Sequence, residues 1–152
     1  MITEKETLAS EVLNDLLKIN NDRIEGYKKG AAETKDQDLK ILFEKMRSES
    51  KRIASALTNA IVKQGGQPDT GDTTNAGKIY RAWMDVKATF NGKDRKGILS
   101  ACEFGEDAAQ KAYRSALDEK DLPIGIQTLI KSQQIELKLS HDAVKALRDI
   151  AK

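Results

Sequence analysis

The sequence predicts an all-α protein built from four long helices, and three observations lead to this prediction. Apolar residues recur along most of the 152-residue chain with a spacing close to 3.6, and no segment alternates as a strand would. Only 2 prolines occur, so little interrupts long helices. Glycine-containing pairs, Gly65-Gly66 and Asn91-Gly92, divide the chain into helical stretches.

Each of the first two predicted helices carries one apolar stripe that a polar residue interrupts, Asn20 in helix one and Glu49 in helix two. Asp36 is a typical N-cap for helix two, and Gly65-Gly66 followed by Pro68 ends it. The stripes consist of Leu13, Leu16, Leu17, Ile24, Tyr27 and Ala31 in helix one, and of Leu42, Met46, Ile53, Leu57 and Ala60 in helix two.

A polar, turn-rich stretch and a short amphipathic helix precede the last two long helices. Thr74 or Asn75 is a suitable cap for the short helix, and Asp94 for helix three. Asp121 is the expected cap of helix four, with Pro123 near its first turn. The apolar residues are Ile79, Trp83, Val86 and Phe90 in the short helix, Ile98, Cys102, Ala109, Tyr113, Ala116 and Leu117 in helix three, and Ile126, Ile130, Leu137, Val144 and Leu147 in helix four.

The lengths of the links predict how the helices pair. The links between helices one and two and between three and four are only a few residues long, so each pair forms an antiparallel hairpin. Helices of about 25–30 residues are each ~40 Å long. The long crossover leaves two topologies open, up-down-down-up or sequential. We expect one domain over residues 1–152.

Composition excludes several classes of function. The single cysteine, Cys102, rules out an intrachain disulfide framework, and the single histidine, His141, rules out sites that need two histidines in one chain. A net charge of +2 is too balanced for a typical nucleic-acid-binding surface. The sequence has no signal-like N-terminus and no apolar run of membrane-spanning length, so we expect no membrane association and a cytoplasmic protein.

Polar residues fall near the midpoint of every long helix, and in an aligned bundle they would meet in the core: Asn20, Glu49, Glu106 and Gln133 or Gln134. Burying carboxylates is costly unless they are paired, protonated or bound to a metal. One interpretation is therefore an iron or manganese site formed by Glu49, Glu106 and His141, to which Glu103 could also contribute. Di-iron bundles take a Glu-x-x-His pair from each of two helices, and here Arg52 follows Glu49 while Lys138 precedes His141.

The favoured interpretation is a buried polar network without metal. Arg52 would pair with Glu49 or Glu106 across helices, and the asparagine and glutamine side chains would satisfy the remaining groups. We identify no catalytic and no cofactor-binding residue. His141 on an apolar stripe is more often a core or rim residue than a ligand.

The ordered motifs of the chain resemble a bacterial ferritin-like four-helix-bundle family that is known only as a domain of unknown function. The resemblance rests on Leu13-Asn14-Asp15-Leu16, Glu25-Gly26-Tyr27, Arg81-Ala82-Trp83-Met84-Asp85 with Lys87, Cys102-Glu103-Phe104-Gly105-Glu106-Asp107-Ala108, Tyr113, and His141-Asp142 with Leu147. It covers nearly the whole chain. It implies a ferritin-like four-helix bundle with a short amphipathic helix in the long crossover between helices two and three, and it implies no established activity.

The sequence thus leads to two functional hypotheses. The first is a non-catalytic ferritin-like bundle that acts through self-association or contacts with an unidentified protein, with stress physiology as one setting. The second is a divergent metal-binding or redox bundle. The sequence is equally consistent with a homodimer and with a monomer. Trp83 and Phe90 pack against the bundle or, in the alternative, form an oligomer interface.

Overall fold

A computed structural model describes residues 3–75, 77–89 and 94–151, apart from the side chains of residues 78 and 89. These ranges contain five α-helices and no strand, which confirms the all-α prediction. The helices are α1 (Glu4–Glu33), α2 (Gln37–Lys63), α3 (Gly77–Thr89), α4 (Arg95–Leu117) and α5 (Ile124–Ile150). None of the described helices is long and apolar enough to cross a membrane.

Side-chain contacts fix the relative direction of the long helices. Asn20 in the middle of α1 bonds to Tyr113 near the end of α4, whereas Tyr27 further along α1 bonds to Glu106 in the middle of α4. Helices α1 and α4 are therefore antiparallel. Because the short link 34–36 also makes α1 and α2 antiparallel, α2 and α4 run in the same direction. This direction was one of the two that the sequence left open.

Helix ends follow the capping rules only in part. Asp36 is the N-cap residue of α2, but its side chain makes no capping bond and pairs with Arg95 instead. The side chain of Asp94 accepts from Gly97 N at 2.8 Å, as an N-cap should. Helix α1 begins a full two turns before its first predicted stripe residue, because Thr3 and Glu6 form a capping box. The expectation that Asp121 caps the last helix is wrong: Pro123 occupies the N-cap position, and its fixed φ of −56° suits the start of a helix.

Helix α3 packs on the bundle through Trp83, together with the buried Ala82 and Val86. Trp83 is fully buried and meets Tyr27 edge-on, with 5.6 Å between ring centroids. A Cβ added at Gly26 of α1 would lie 3.0 Å from the Trp83 ring, and one at Gly105 of α4 would lie 3.2 Å from it. Glycine at both positions therefore makes room for the indole. The alternative of an oligomer interface at Trp83 is wrong, and Phe90 lies outside the described residues.

The crossover loop is held against the polar side of α1. Asn14 donates to Gln67 O at 3.0 Å and accepts from Asp69 N at 2.8 Å. Asp22 accepts from the hydroxyl of Thr74 at 2.5 Å. These bonds fix the path of the chain between α2 and α3.

The contact between Asp22 and the crossover loop makes the stability of the protein depend on pH. Burial raises the pKa of Asp22 to about 6 although Thr74 donates to it. The folded protein therefore binds more protons than the unfolded chain between the ordinary pKa of 3.8 and about 6, and stability falls as pH rises through this window. We expect Asp22→Asn to raise the free energy of unfolding at pH 8 by about 1–2 kcal/mol and to have little effect near pH 4. Urea unfolding across this pH range measures both, and an equal effect at both ends would contradict the assignment.

Candidate functional site: a buried arginine layer

A fully buried arginine lies at the centre of the bundle. Arg23 of α1 has no exposed surface and projects its guanidinium towards Glu106 of α4, which is 1% exposed. The Arg23 Nε atom donates to both carboxylate oxygens of Glu106 at 3.1 Å, and Nη2 donates to Oε1 at 2.7 Å. This is a charge-assisted pair with a two-pronged geometry, which is the strong form of such a contact.

Two residues of α2 complete the surroundings of the guanidinium. Nη2 lies 3.4 Å from Glu49 Oε1, and Nη1 donates to the hydroxyl of Ser50. Burial alone would lower the pKa of Arg23, but Glu106, Tyr27 and Glu49 raise it above its ordinary value. The arginine is therefore a permanent cation between two carboxylates.

A chain of hydrogen bonds extends the layer to the remaining helices. The Ser50 hydroxyl donates to Asn20 Oδ1 at 3.1 Å, and Asn20 Nδ2 donates to the Tyr113 hydroxyl at 3.0 Å. Tyr113 in turn donates to Gln133 Oε1 of α5 at 2.9 Å. On the other side, Ser140 of α5 donates to Glu49 at 2.8 Å. The four long helices are thus joined at one level by a continuous polar network, which we call the arginine layer.

The protonation states in the arginine layer favour structure over chemistry. The Tyr27 hydroxyl donates to Glu106 Oε1 at 2.7 Å, and burial together with this carboxylate raises the pKa of Tyr27. Burial likewise raises the pKa of Tyr113, and that of the Cys102 thiol. The raised pKa values favour the protonated forms of these groups, and the buried Cys102 packs as a small core residue.

The structure places the predicted mid-bundle residues in two groups. Asn20, Glu49, Glu106 and Gln133 lie in the arginine layer. Gln134 does not: its side chain accepts from Lys131 at the surface. Arg52 is also outside, because its side chain is 64% exposed and pairs with Glu136 of α5. The expectation that Arg52 neutralises the core carboxylates is therefore wrong. Arg23 performs that role.

The exposure of Arg52 predicts a small mutational effect. We expect Arg52→Met to change the free energy of unfolding by less than about 1 kcal/mol, because solvent screens an exposed ion pair. Urea denaturation at low and at 0.5 M salt would measure it. A larger loss would mean that the contact with Glu136 contributes more to packing α2 on α5 than surface ion pairs do.

The predicted metal ligands are also divided. Glu49 and Glu106 both face Arg23, whereas the His141 ring bonds through Nε2 to Asp107 at 2.5 Å and through Nδ1 to Asp142 at 3.0 Å. Among the described residues, one group of three potential ligands has donor atoms within 4.8 Å of one another: Glu103, Asp107 and His141. His141 thus belongs to a cluster between α4 and α5 that the sequence analysis did not anticipate, apart from Glu103.

Charges within this α4–α5 cluster already compensate one another. Burial lowers the pKa of His141, but the bonds from Asp142 and Asp107 outweigh it and raise the pKa overall. Arg148 forms an ion pair with the buried Glu103. The His141 ring bridges two carboxylates, and protonation of the ring, which the raised pKa favours, adds charge compensation to this arrangement.

Sequence reasoning missed Arg23, Ser50 and the hydroxyls of Tyr27 and Tyr113. A signal was available for the arginine: it lies three residues after Asn20 and four before Tyr27, so all three share one face of α1. Ile24 occupies the same stripe and is half-buried, and its apolar character favoured it over an arginine as the core residue.

Comparison with known proteins supplies a family and no activity. No curated protein sequence matches the chain. A family model described as a domain of unknown function, DUF2383, matches residues 8–119, which extend from α1 through α4 and leave α5 outside the match. The matched segment covers well over half of the 152 residues. The chain therefore belongs to the DUF2383 family of domains of unknown function.

Proposed function

We propose that this protein is a ferritin-like four-helix bundle without a catalytic centre, and that it acts through protein contacts, self-association first among them. The observation that carries this proposal is Arg23. Its guanidinium takes up the carboxylates of Glu106 and Glu49, which are the groups that a central metal would require.

The helix directions support the ferritin-like part of the proposal. Helices α1 and α2 form one hairpin, α4 and α5 form another, and a long crossover joins α2 to α4 so that these two run in the same direction. Bundles of the ferritin type have one long crossover connection of this kind. The short helix α3 lies within the crossover.

The electrostatics of the arginine layer support the absence of a core metal. A divalent cation between Glu49 and Glu106 would lie beside the buried guanidinium, in a region where little water screens the repulsion. The two carboxylates already accept from Tyr27 and Ser140 as well as from Arg23. Metal binding there would thus compete with contacts that are already satisfied.

Elemental analysis of protein purified without chelator tests this part of the proposal. We expect iron and manganese well below one atom per chain, and the same content in Glu106→Gln as in the wild type. A stoichiometric metal that disappears in Glu106→Gln, but stays in the surface variant Asp38→Asn, would overturn the proposal. Sedimentation equilibrium tests the other part, and a chain that stays monomeric at every concentration would overturn self-association.

A second candidate function rests on the α4–α5 cluster. Glu103, Asp107 and His141 offer two carboxylates and one imidazole, a donor set that suits zinc or manganese. Asp142 accepts at the other ring nitrogen of His141, and metal-binding histidines are commonly oriented by a carboxylate in this position. A cation would have to displace the proton of His141 and the contact of Arg148 with Glu103.

Titration with Zn²⁺, followed by calorimetry at pH 6 and pH 8, tests the second candidate. If the cluster binds the ion, affinity rises from pH 6 to pH 8 because His141 must lose its proton, and His141→Ala abolishes binding. Glu49→Gln is the matched control, since Glu49 lies outside the cluster. Binding that is equal in wild type and His141→Ala would exclude this site.

A further inference from the structure

One face of α5 carries exposed apolar side chains from its first turn to its last, with the polar residues Ser132 and Asp142 among them. Four of its side chains are more than half exposed: Ile124 (81%), Ile135 (54%), Leu139 (67%) and Ile150 (76%). Thr128 and Ala146, which are exposed as well, lie on the same face. These positions repeat with a spacing of eleven residues, as 124, 135 and 146 and as 128, 139 and 150. Eleven residues are close to three full turns, so the six positions lie within about 80° of one another around the helix. We call this surface the α5 face.

The six residues of the α5 face are placed symmetrically about the level of Leu137. Ile124 and Ile150 each lie 13 residues from position 137, and Ile135 and Leu139 each lie 2 residues from it. Thr128 and Ala146 are likewise equidistant. If two copies of α5 meet antiparallel around a two-fold axis at this level, each large side chain of these six lies at the height of another large one, and each small one at the height of a small one. A two-fold interface requires this kind of self-complementarity.

The charges beside the α5 face fit the same arrangement. Lys131 lies 6 residues before position 137 and Asp142 lies 5 residues after it, on the same flank of α5. Two-fold symmetry perpendicular to the helices brings equal flanks together, so Lys131 of each copy meets Asp142 of the other. Lys138, which lies close to the axis, pairs with Asp142 of its own chain at 2.9 Å, so this carboxylate would be shared among Lys138, His141 and Lys131 of the second copy.

The surface next to Ile135 is concave. An open depression of about 680 Å³ runs between α4 and α5 and is lined by Leu117, Thr128, Lys131 and Ile135 among others. In the antiparallel arrangement Leu139 of the second copy lies beside this depression, and Ala146 of that copy lies opposite Thr128. A protruding leucine therefore meets a hollow.

We propose that the α5 face is the interface of a homodimer in which two copies of α5 pack antiparallel around a two-fold axis at the level of Leu137. This inference rests on the proposed function, because it names the surface and the partner for self-association. A contact along one helix of about 40 Å covers less than the ~800 Å² per partner of a standard interface, so we expect a dissociation constant in the micromolar range.

Sedimentation equilibrium over about 1–500 µM protein distinguishes the inference from the broader proposal. We expect the wild type to dimerise and Ile135→Glu to raise the dissociation constant at least about tenfold, since a carboxylate would then lie in the apolar contact. Ile41→Glu is the matched control, because Ile41 is 63% exposed on α2. Dimerisation that resists Ile135→Glu but is lost in Ile41→Glu would overturn the α5 interface and leave self-association intact. A monomeric wild type would overturn both.

Cross-linking with a short bismaleimide tests the antiparallel direction. The native Cys102 is buried, so the wild type serves as the unreactive control. In the proposed dimer the two copies of residue 139 are only about 6 Å apart along the axis, whereas the two copies of residue 150 are about 39 Å apart. Leu139→Cys should therefore form a covalent dimer, and Ile150→Cys should not. The reverse result would exclude the antiparallel arrangement.

Discussion

Replacing Arg23 by methionine is expected to lower the free energy of unfolding by about 3–5 kcal/mol. Methionine fills a similar volume, but it leaves Glu106 buried with only the Tyr27 hydroxyl as its donor. Ser50 and Glu49 lose a partner as well. The cost arises mainly from the uncompensated carboxylate and not from lost packing. Urea denaturation monitored by circular dichroism gives the value.

Two further variants show whether charge is the cause. Adding Glu106→Gln to Arg23→Met removes the unpaired charge, so we expect recovery of more than half of the lost stability. A defect that Glu106→Gln does not relieve would mean that the arginine acts through its shape alone.

Replacing Trp83 by alanine is expected to cost about 3–5 kcal/mol, which is the range for removal of a large buried aromatic side chain. The indole is held between α1 and α4 and contacts Tyr27, so its loss leaves a cavity that two glycine-lined helix faces cannot fill. Thermal and urea unfolding of the variant would measure this cost. A loss below about 1 kcal/mol would show that α3 contributes little to the stability of the bundle.

Gly105→Ala tests how tightly the helices pack around Trp83. Alanine in place of glycine usually stabilises a helix by up to about 1 kcal/mol. At Gly105, however, the added Cβ would lie 3.1 Å from Val86 and 3.2 Å from Trp83, so Gly105→Ala should destabilise the wild type. In the Trp83→Ala background only the contact with Val86 remains, so the same change should destabilise the protein less. A stabilising effect in both backgrounds would show that the indole can shift aside.

The helices were predictable because their signals are local. Periodic apolar residues, Asp94 as an N-cap and Gly65-Gly66 as a terminator depend on a few neighbouring positions. The direction of α4 relative to α2 was not predictable in this way. It depends on contacts between residues far apart in sequence, such as Arg95 with Asp38 at 2.6 Å, and a long crossover permits either direction.

The candidate site was predictable only in part, for a physical reason. Polar residues on an apolar stripe indicate a buried polar layer, and Asn20 and Glu106 were found by this signal. The signal does not identify which cation compensates the carboxylates. Arg52 lies on the same helix as Glu49, and Arg23 lies on the neighbouring helix α1. Only the rotation of each helix decides that Arg23 points inward and Arg52 into solvent. That rotation is set by packing of the whole domain.

Because Trp83 is fully buried, its fluorescence reports on the packing of the protein around it. It is the single tryptophan of the chain, and no water reaches its ring in the folded state. Its emission should therefore be shifted to the blue, resist quenching by iodide, and gain intensity by energy transfer from Tyr27. Since the indole contacts α1 and α4 while belonging to α3, its emission reports detachment of the crossover even where the helix content stays unchanged. A fluorescence signal that moves before the circular dichroism signal would reveal this step.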